Sequence, residues 1–436
     1  MKRRCSPGLG FGVIGLGSSL PAADTAVNVA LPAIAQAFDL DTVAIRWTVI
    51  AYVLVYACLM ILMGHWGDQR GHWRVFRWGL WVGLIAYGLC GFAPSYSWLL
   101  AGRGLQGVST ALLLAVGPAL AVEVLGVSNR AQALALYGAL GAGAAALAPL
   151  LAGWAIAASD WSAAFLGRLP LALLALAILA GWGTPDGPGK AAQKASDRDA
   201  RGDWQGTKQH PEKRSTLAAS FKAHRAPPLR GLHLLHAWAQ ACGFTSMLLL
   251  PFLLADRLRL DAFHVGALLG CWPLGLALGN LYAPRRVSAR GLPASMHFGL
   301  GTLALGCCAL ALATLAAAGH WGEARDLWGF QWILGCGLLI QGVGLGLVQM
   351  TYTTQVLTLT PPGQEGLGGA ATLSSRTLGV LFAALSWPWL LDLARAKGLA
   401  WSLGLAWLYA LGAASLAMLI LLWRRADAES KRPLRA

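Results

Sequence analysis

The chain has 436 residues, of which 56% are hydrophobic and only 12% charged, with a mean hydropathy of +0.56. That balance excludes an ordinary soluble domain and indicates an integral membrane protein. A formal charge of +15 would suit a nucleic-acid binder, but most of the cations flank apolar runs instead of sharing one polar face, so they carry topology and argue against nucleic acid.

A bilayer-crossing helix needs about 20 apolar residues, and about twelve such segments can be marked. In chain order they are 8–37, 46–66, 75–93, 97–122, 131–157, 162–182, 231–254, 261–283, 293–316, 328–352, 367–391 and 400–423. The opening Met1-Lys2-Arg3-Arg4 resembles a signal peptide. The apolar run behind it is long, contains Asp24 and lacks a small-residue cleavage site, so it is read as a retained first span. Lysine and arginine collect in alternate loops, which predicts both termini in the cytoplasm. The eight cysteines lie mostly within spans at no metal-ligand spacing, so neither metal nor cofactor is expected.

Between Gly183 and Leu229 the composition turns abruptly polar. The predicted organisation is an N-terminal six-helix bundle over 1–183, a cytoplasmic linker over 184–229, a C-terminal six-helix bundle over 230–424 and a tail over 425–436. Weak internal similarity supports two halves. Arg103-Gly104-Leu105-Gln106-Gly107-Val108 in the fourth span is echoed by Leu338-Leu339-Ile340-Gln341-Gly342-Val343 in the tenth. Paired bundles of this kind are a transporter arrangement.

A charge inside hydrocarbon costs roughly 2.5–3.5 kcal/mol on insertion scales, so an intramembrane ionisable residue is a functional candidate. Asp24 is the one carboxylate placed deep in a span. Burial favours its protonated form unless a cation sits nearby, which makes it a candidate proton carrier; the competing reading is a structural Asp bonded to Thr25 or a neighbouring helix. Arg103 and Arg376 are cations within spans, each able to bind an anionic group, influence a carboxylate or pair with backbone carbonyls. Arg168, near the outer end of the sixth span, is expected to snorkel to the interface. His233 and His236 share a helix face and are read as interfacial side chains, with a proton relay as the other option. No nucleotide-binding glycine loop is present, and no nucleophile, acid and base set recurs at useful spacing, so the chain is not read as an enzyme.

The polar turn Gly64-His65-Trp66-Gly67-Asp68-Gln69-Arg70-Gly71-His72-Trp73-Arg74 is read as a tight bend through Gly67 and Gly71. With Gly64, Asp68, Gly71 and Arg74 there, Asp24, Thr25, Asn28, Ala30, Leu31 and Pro32 in the first span, and Arg103, Gln106 and Gly107 in the fourth, the chain resembles the major facilitator superfamily. Within it, the resemblance is to the type-two drug:proton antiporters. Trp47 and Tyr52 at the start of the second span and Ser375-Arg376-Thr377-Leu378-Gly379 in the eleventh add to it. Departures are Trp66, Gln69 and His72 in the turn, Ala144, Ala148 and Ala152 in place of glycines in the fifth span, where Gly141, Pro149 and Gly153 remain, and Ser162 and Arg168 in the sixth.

The resemblance implies an all-α membrane fold of two six-helix bundles that rock about a central cavity. It implies proton coupling and substrate contact at Asp24, Arg103, Asn28 and Arg376, and a helix-packing motif at Gly141, Pro149 and Gly153. Gly64, Asp68, Gly71 and Arg74 would form a conformational latch, with Asp68 set against the helix N-terminus at Gly366–Gly369. The expected function is proton-coupled efflux of an amphipathic small molecule by a monomer in a bacterial-type inner membrane. The rival is a proton-coupled uptake carrier for an organic anion, favoured by Arg103 and Arg376. A transport-dead sensor or membrane-embedded enzyme is the rival from another class.

Overall fold

The computed structural model of the chain describes residues 7–126, 129–182, 227–316, 327–359, 365–396 and 401–430. Among the described residues every regular element is helical. In the first half these are α1 Pro7–Ala22, α2 Thr25–Ala37, α3 Thr42–Ile45, α4 Trp47–Arg70, α5 His72–Gly91, α6 Tyr96–Leu125, α7 Arg130–Ala158, α8 Ala163–Leu166 and α9 Leu169–Trp182. The second half holds α10 Pro227–Phe252, a π-helical turn Leu253–Arg257, α11 Ala262–Ala316, α12 Leu327–Leu359, α13 Glu365–Ala396 and α14 Trp401–Ser430. Among the described residues, eight helices are long and apolar enough to cross a membrane by length and composition alone. Taking α1 with α2 and α8 with α9 as single crossings, and α11 as two, the elements account for all twelve predicted spans.

Three departures from the predicted elements have local causes. The first and sixth spans are each broken, at Ala23-Asp24 and at Gly167-Arg168, where the sequence reading had continuous helices. Pro21 lacks the N–H that would extend the ladder at the end of α1, which weakens the helix just before its break. The eighth and ninth spans are joined as the arms of α11, which runs through Arg285, Arg286 and Arg290 and kinks at Gly291 with φ 78 and ψ 169. The turn at 64–74 is sharper than expected: α4 stays helical through Gly67 to Arg70, and only Gly71 breaks it, at φ 91 and ψ 131. A Cβ at such a φ is strained, which is why glycine occupies the corner. The predicted linker 184–229 lies outside the described residues up to 226, and α10 begins within it at Pro227.

Apolar side chains are deployed for a lipid solvent. Leu62, Trp154, Leu281, Leu312 and Trp332 are strongly exposed, which would be an anomaly on a soluble surface and is ordinary against acyl chains. Inside, small residues let backbones approach closely. α11 and α12 are the tightest case, since a Cβ on Gly275, Gly279, Gly342 or Gly346 would strike backbone carbonyl oxygens of Leu339, Val343, Trp272 or Leu276 respectively.

The two halves meet at one end, formed by the connections 38–46, 159–162 and 258–261. There Arg46 Nη1 donates to the Leu385 carbonyl at 2.9 Å and Gln36 Nε2 to Asp256 Oδ1 at 3.4 Å. Also there, Pro149 and Gly153 of α7 lie against Ala262 and Gly266 of α11. One buried cluster crosses this interface, from Ile34, Ala152 and Ile156 to Leu250, Leu254 and Val265, whereas a second, around Ile14, Phe76, Leu80, Leu113 and Leu176, stays within the first half. These two side-chain hydrogen bonds and the contacts of Gly153 and Gly266 join the halves at this end. This end holds the two halves together.

Candidate functional site

The break between α1 and α2 places Asp24 at the N-cap of α2, but its side chain makes no cap hydrogen bond. It reaches across to α6. Arg103 Nη1 donates to Asp24 Oδ1 at 2.7 Å and Nη2 to Oδ2 at 3.0 Å, a bidentate pair, and Gln106 Nε2 donates to Oδ1 at 2.8 Å. Arg103 is itself fully engaged. Its Nε donates to the Thr48 carbonyl at 2.8 Å, Nη1 also to Gln106 Oε1 at 2.8 Å, and its guanidinium lies 4.4 Å from the Tyr52 ring centroid. The i, i+3 spacing of Arg103 and Gln106 puts both on one face of α6, so a single helix presents both groups to one carboxylate.

Arg168 corrects the sequence reading. It does not snorkel: only 3% of it is exposed, and the break between α8 and α9 turns it inward. Nη1 donates to Asp24 Oδ1 at 3.1 Å and Nη2 to the Ala23 carbonyl at 3.0 Å, which also accepts from the Ala26 backbone N–H at 3.0 Å. Two discontinuities in different spans thus face each other, one supplying an anion and a backbone carbonyl, the other a guanidinium. The rings of Tyr87 and Phe165 flank Arg168 at 5.3 and 6.0 Å. All of the Asp24 partners are N–H donors, so the group sits here as a carboxylate. With two guanidiniums around it, the cluster carries one uncompensated positive charge. Arg168 Nε and Tyr87 Oη, both buried, have no hydrogen-bond partner among the described residues.

Of the other predicted site residues, Asn28 lies one turn along α2 from Asp24, buried and without a hydrogen bond among the described residues. Thr25 Oγ1 donates to the Ala145 carbonyl at 2.9 Å, not to Asp24, and ties α2 to α7. Arg376 is exposed on α13 and is not among the partners of the Asp24 cluster. Gly64 has open space at its Cβ position, Gly71 forms the corner, and Arg74 is exposed. Gly366–Gly369 lie at the start of α13, but the side chain of Asp68, expected opposite them, lies outside what is described. Pro149 and Gly153 do form a close helix contact, with α11, while a Cβ on Gly141 would meet nothing within 4 Å.

The internal repeat has a structural meaning. Gln106 and Gln341 are both fully buried. Gln106 binds Asp24, and Gln341 accepts from Ser246 Oγ at 2.6 Å and donates to the Cys242 carbonyl at 3.4 Å. The following glycines match too, Gly107 lying against the Tyr52 carbonyl and Gly342 against that of Trp272. Leu338 stands where the first half has Arg103, so the second-half counterpart is neutral.

A polar network in the second half was not foreseen at its true depth. His236 is 1% exposed, not interfacial. Its Nδ1 lies 3.0 Å from Ser375 Oγ and its Nε2 3.1 Å from Gln240 Nε2, and its ring stacks on Tyr352 with centroids 3.9 Å apart. His233 Nδ1 lies 2.6 Å from Tyr352 Oη. The only sequence signal was the spacing of the two histidines, because their partners come from α12 and α13. No group of three or more metal-ligating side chains occurs among the described residues.

The Major Facilitator Superfamily model matches residues 9–384, through the Asp24 cluster and most of the second half. The chain belongs to this superfamily. Its membership agrees with the fold: a crystal structure of the nucleoside transporter NupG superposes with a TM-score of 0.74 at 11% identity, covering 96% of this chain and 100% of that one. Among sequence relatives of this superfamily member, the methylenomycin A resistance protein of Streptomyces coelicolor is 32% identical over 155 residues, 35% of this chain and 33% of the relative. The puromycin resistance protein of Streptomyces alboniger is 34% identical over 158 residues, 35% of this chain and 30% of the relative. The riboflavin transporter RibZ of Clostridioides difficile is 27% identical over 150 residues, 34% and 33% of the two chains. Each alignment thus spans about a third of the relative's length.

Proposed function

We propose that this superfamily member exports an amphipathic small molecule across a bacterial-type inner membrane in exchange for protons, by alternating access between its two halves. The observation that carries the reading is the bidentate Asp24–Arg103 pair at a broken first span, 2.7 and 3.0 Å long. Removing one partner of a buried ion pair costs about 3–5 kcal/mol, so Asp24 exchanges its guanidiniums for a proton only when a rearrangement separates them. Tying protonation to the position of α6 and α9 relative to α2 is what coupling requires. A ligand or proton shifts the equilibrium between two states only by its differential affinity for them. Similarity to proteins named for antibiotic resistance supports export.

A second reading is uptake of an organic anion, and one observation favours it. Arg168 adds a second guanidinium to a single carboxylate, and the surplus positive charge in a low-dielectric site would be relieved by an anionic substrate. Inverted vesicles with an imposed proton gradient separate the two. Gradient collapse on adding cationic or neutral amphipaths, lost in Asp24→Asn, is the expected result. Collapse by anions alone would support uptake, and an Asp24→Asn variant indistinguishable from wild type toward a working substrate would refute the coupling role.

A further inference from the structure

Each half turns at the membrane edge through a glycine in the left-handed region, Gly71 at φ 91 and Gly291 at φ 78, but the two turns differ in charge. The first carries Arg70, Arg74 and Arg77 with Asp68 among them in sequence, and His72 Nδ1 lies 3.9 Å from Glu123 Oε2 of α6. The second carries Arg285, Arg286 and Arg290, and Ser288 stands before its corner glycine where Asp68 stands before Gly71. α11 contains no carboxylate from Ala262 to Ala316, and neither do α12 and α7, which pack along it. α14, which also packs on α11, ends with Arg424, Arg425, Asp427 and Glu429, whose charges balance. Among the described residues, none of Arg285, Arg286 and Arg290 forms an ion pair.

Position and packing indicate what would neutralise them. At about 1.5 Å per residue, Arg286 lies about 36 Å along the first arm of α11 from Ala262, past the roughly 30 Å of hydrocarbon. That is headgroup level, with exposed Tyr282 one turn below, at the depth where aromatic rings collect. Arg286 is held in place there. Its guanidinium lies 3.6 Å from the ring centroid of Phe298 on the second arm, and its Nε is buried without a hydrogen-bond partner among the described residues. Stacking on a ring fixes the guanidinium plane and leaves its outer N–H groups for a ligand. Phe298 in turn begins a strip of strongly exposed apolar side chains, Phe298, Leu305 and Leu312, which share one face of the second arm. Arg290, one turn beyond Arg286 on the same face, is exposed, as is Arg285.

We propose that the elbow of α11 binds an anionic phospholipid, with its phosphate on Arg286 and Arg290 and one acyl chain along Phe298, Leu305 and Leu312. Guanidinium matches phosphate through paired N–H bonds, and basic clusters at the membrane edge select acidic headgroups. The apolar strip favours a lipid over a soluble phosphate, which would gain nothing from it. The site shares no residue with the Asp24 cluster and depends neither on proton coupling nor on the direction of transport.

The test is native mass spectrometry of the full-length protein released from detergent micelles containing equal amounts of phosphatidylglycerol and phosphatidylcholine with identical chains. The wild type should retain phosphatidylglycerol in excess. Arg290→Gln should lower that excess about 5-fold, the equivalent of about 1 kcal/mol for one arginine near a lipid surface, and Arg286→Gln should lower it at least as far. Arg290 is exposed, so its replacement does not disturb packing, and exposed Arg259 at the opposite end of the arm gives the control Arg259→Gln. Equal retention of the two lipids by the wild type, or equal losses in Arg259→Gln and Arg290→Gln, overturns the proposal. Displacement of the bound lipid by glycerol phosphate at equal concentration also overturns it, by showing a site for free phosphate.

Discussion

Backbone contact between α7 and α11 is part of what joins the halves at one end, and Gly266→Ala tests it. A Cβ at position 266 would strike the Pro149 carbonyl oxygen and lie 3.0 Å from Gly153 Cα and 3.1 Å from the Pro149 carbonyl carbon, well inside the 3.4 Å at which ordinary contact begins. All three neighbours are backbone atoms, so no side chain can rotate away and α7 and α11 must separate. Overpacking of this kind costs about 1–3 kcal/mol, and because the contact exists only while this end is closed, the cost falls on that conformer alone. The closed-to-open ratio should drop by roughly 5- to 150-fold. Pulsed electron paramagnetic resonance between labels at Trp98→Cys and Phe263→Cys, with the native cysteines replaced, would report a longer-distance population growing at the expense of the short one. Gly270→Ala, whose Cβ would meet only the Ala146 carbonyl at 3.3 Å, should do much less, and Gly141→Ala, with nothing within 4 Å, should do nothing. Equal distance distributions in Gly266→Ala and Gly141→Ala would refute the argument that helix contact at this end sets the equilibrium.

Two further outcomes follow from the ion pairs and caps. Arg168→Met removes one Asp24 partner and the donor to the Ala23 carbonyl, a loss of about 1–3 kcal/mol, whereas Asp24→Asn strands two guanidiniums at about 3–5 kcal/mol. The apparent Tm of the purified protein should therefore fall further in Asp24→Asn, and the reverse order would show that Arg168 is the principal anchor. At the N-terminus of α11, Asp261 accepts from the His264 backbone N–H at 2.9 Å and pairs with its ring at 2.6 Å. These bonds, led by the backbone N–H, hold the Asp261 carboxyl below its ordinary range. A group lowered by folding stabilises above its unfolded value, near 3.9, and that contribution is lost as pH falls through its folded value. Asp261→Ala should cost about 1 kcal/mol at pH 7, and the difference from wild type should vanish in strong acid. A Tm gap that persists there would assign the effect to packing.

The membrane class, the position of nearly every span and the prominence of Asp24 and Arg103 were determined by sequence, because they depend on local quantities. Twenty apolar residues cross a bilayer wherever they occur, and a carboxylate in such a run is costly wherever the run is placed. Even the Gln106 and Gln341 repeat was legible, since each half reuses the same spacing. What only tertiary structure decided is who faces whom. Arg168 read as interfacial because its sequence position is near a span end, yet a helix break turns it onto Asp24, 144 residues away. His233 and His236 read as interfacial side chains because their partners, Tyr352 and Ser375, come from helices more than a hundred residues downstream. Whether a polar residue in a membrane is solvated, paired or poised is a property of its neighbours, and in a bundle assembled from distant spans the chain order does not reveal them.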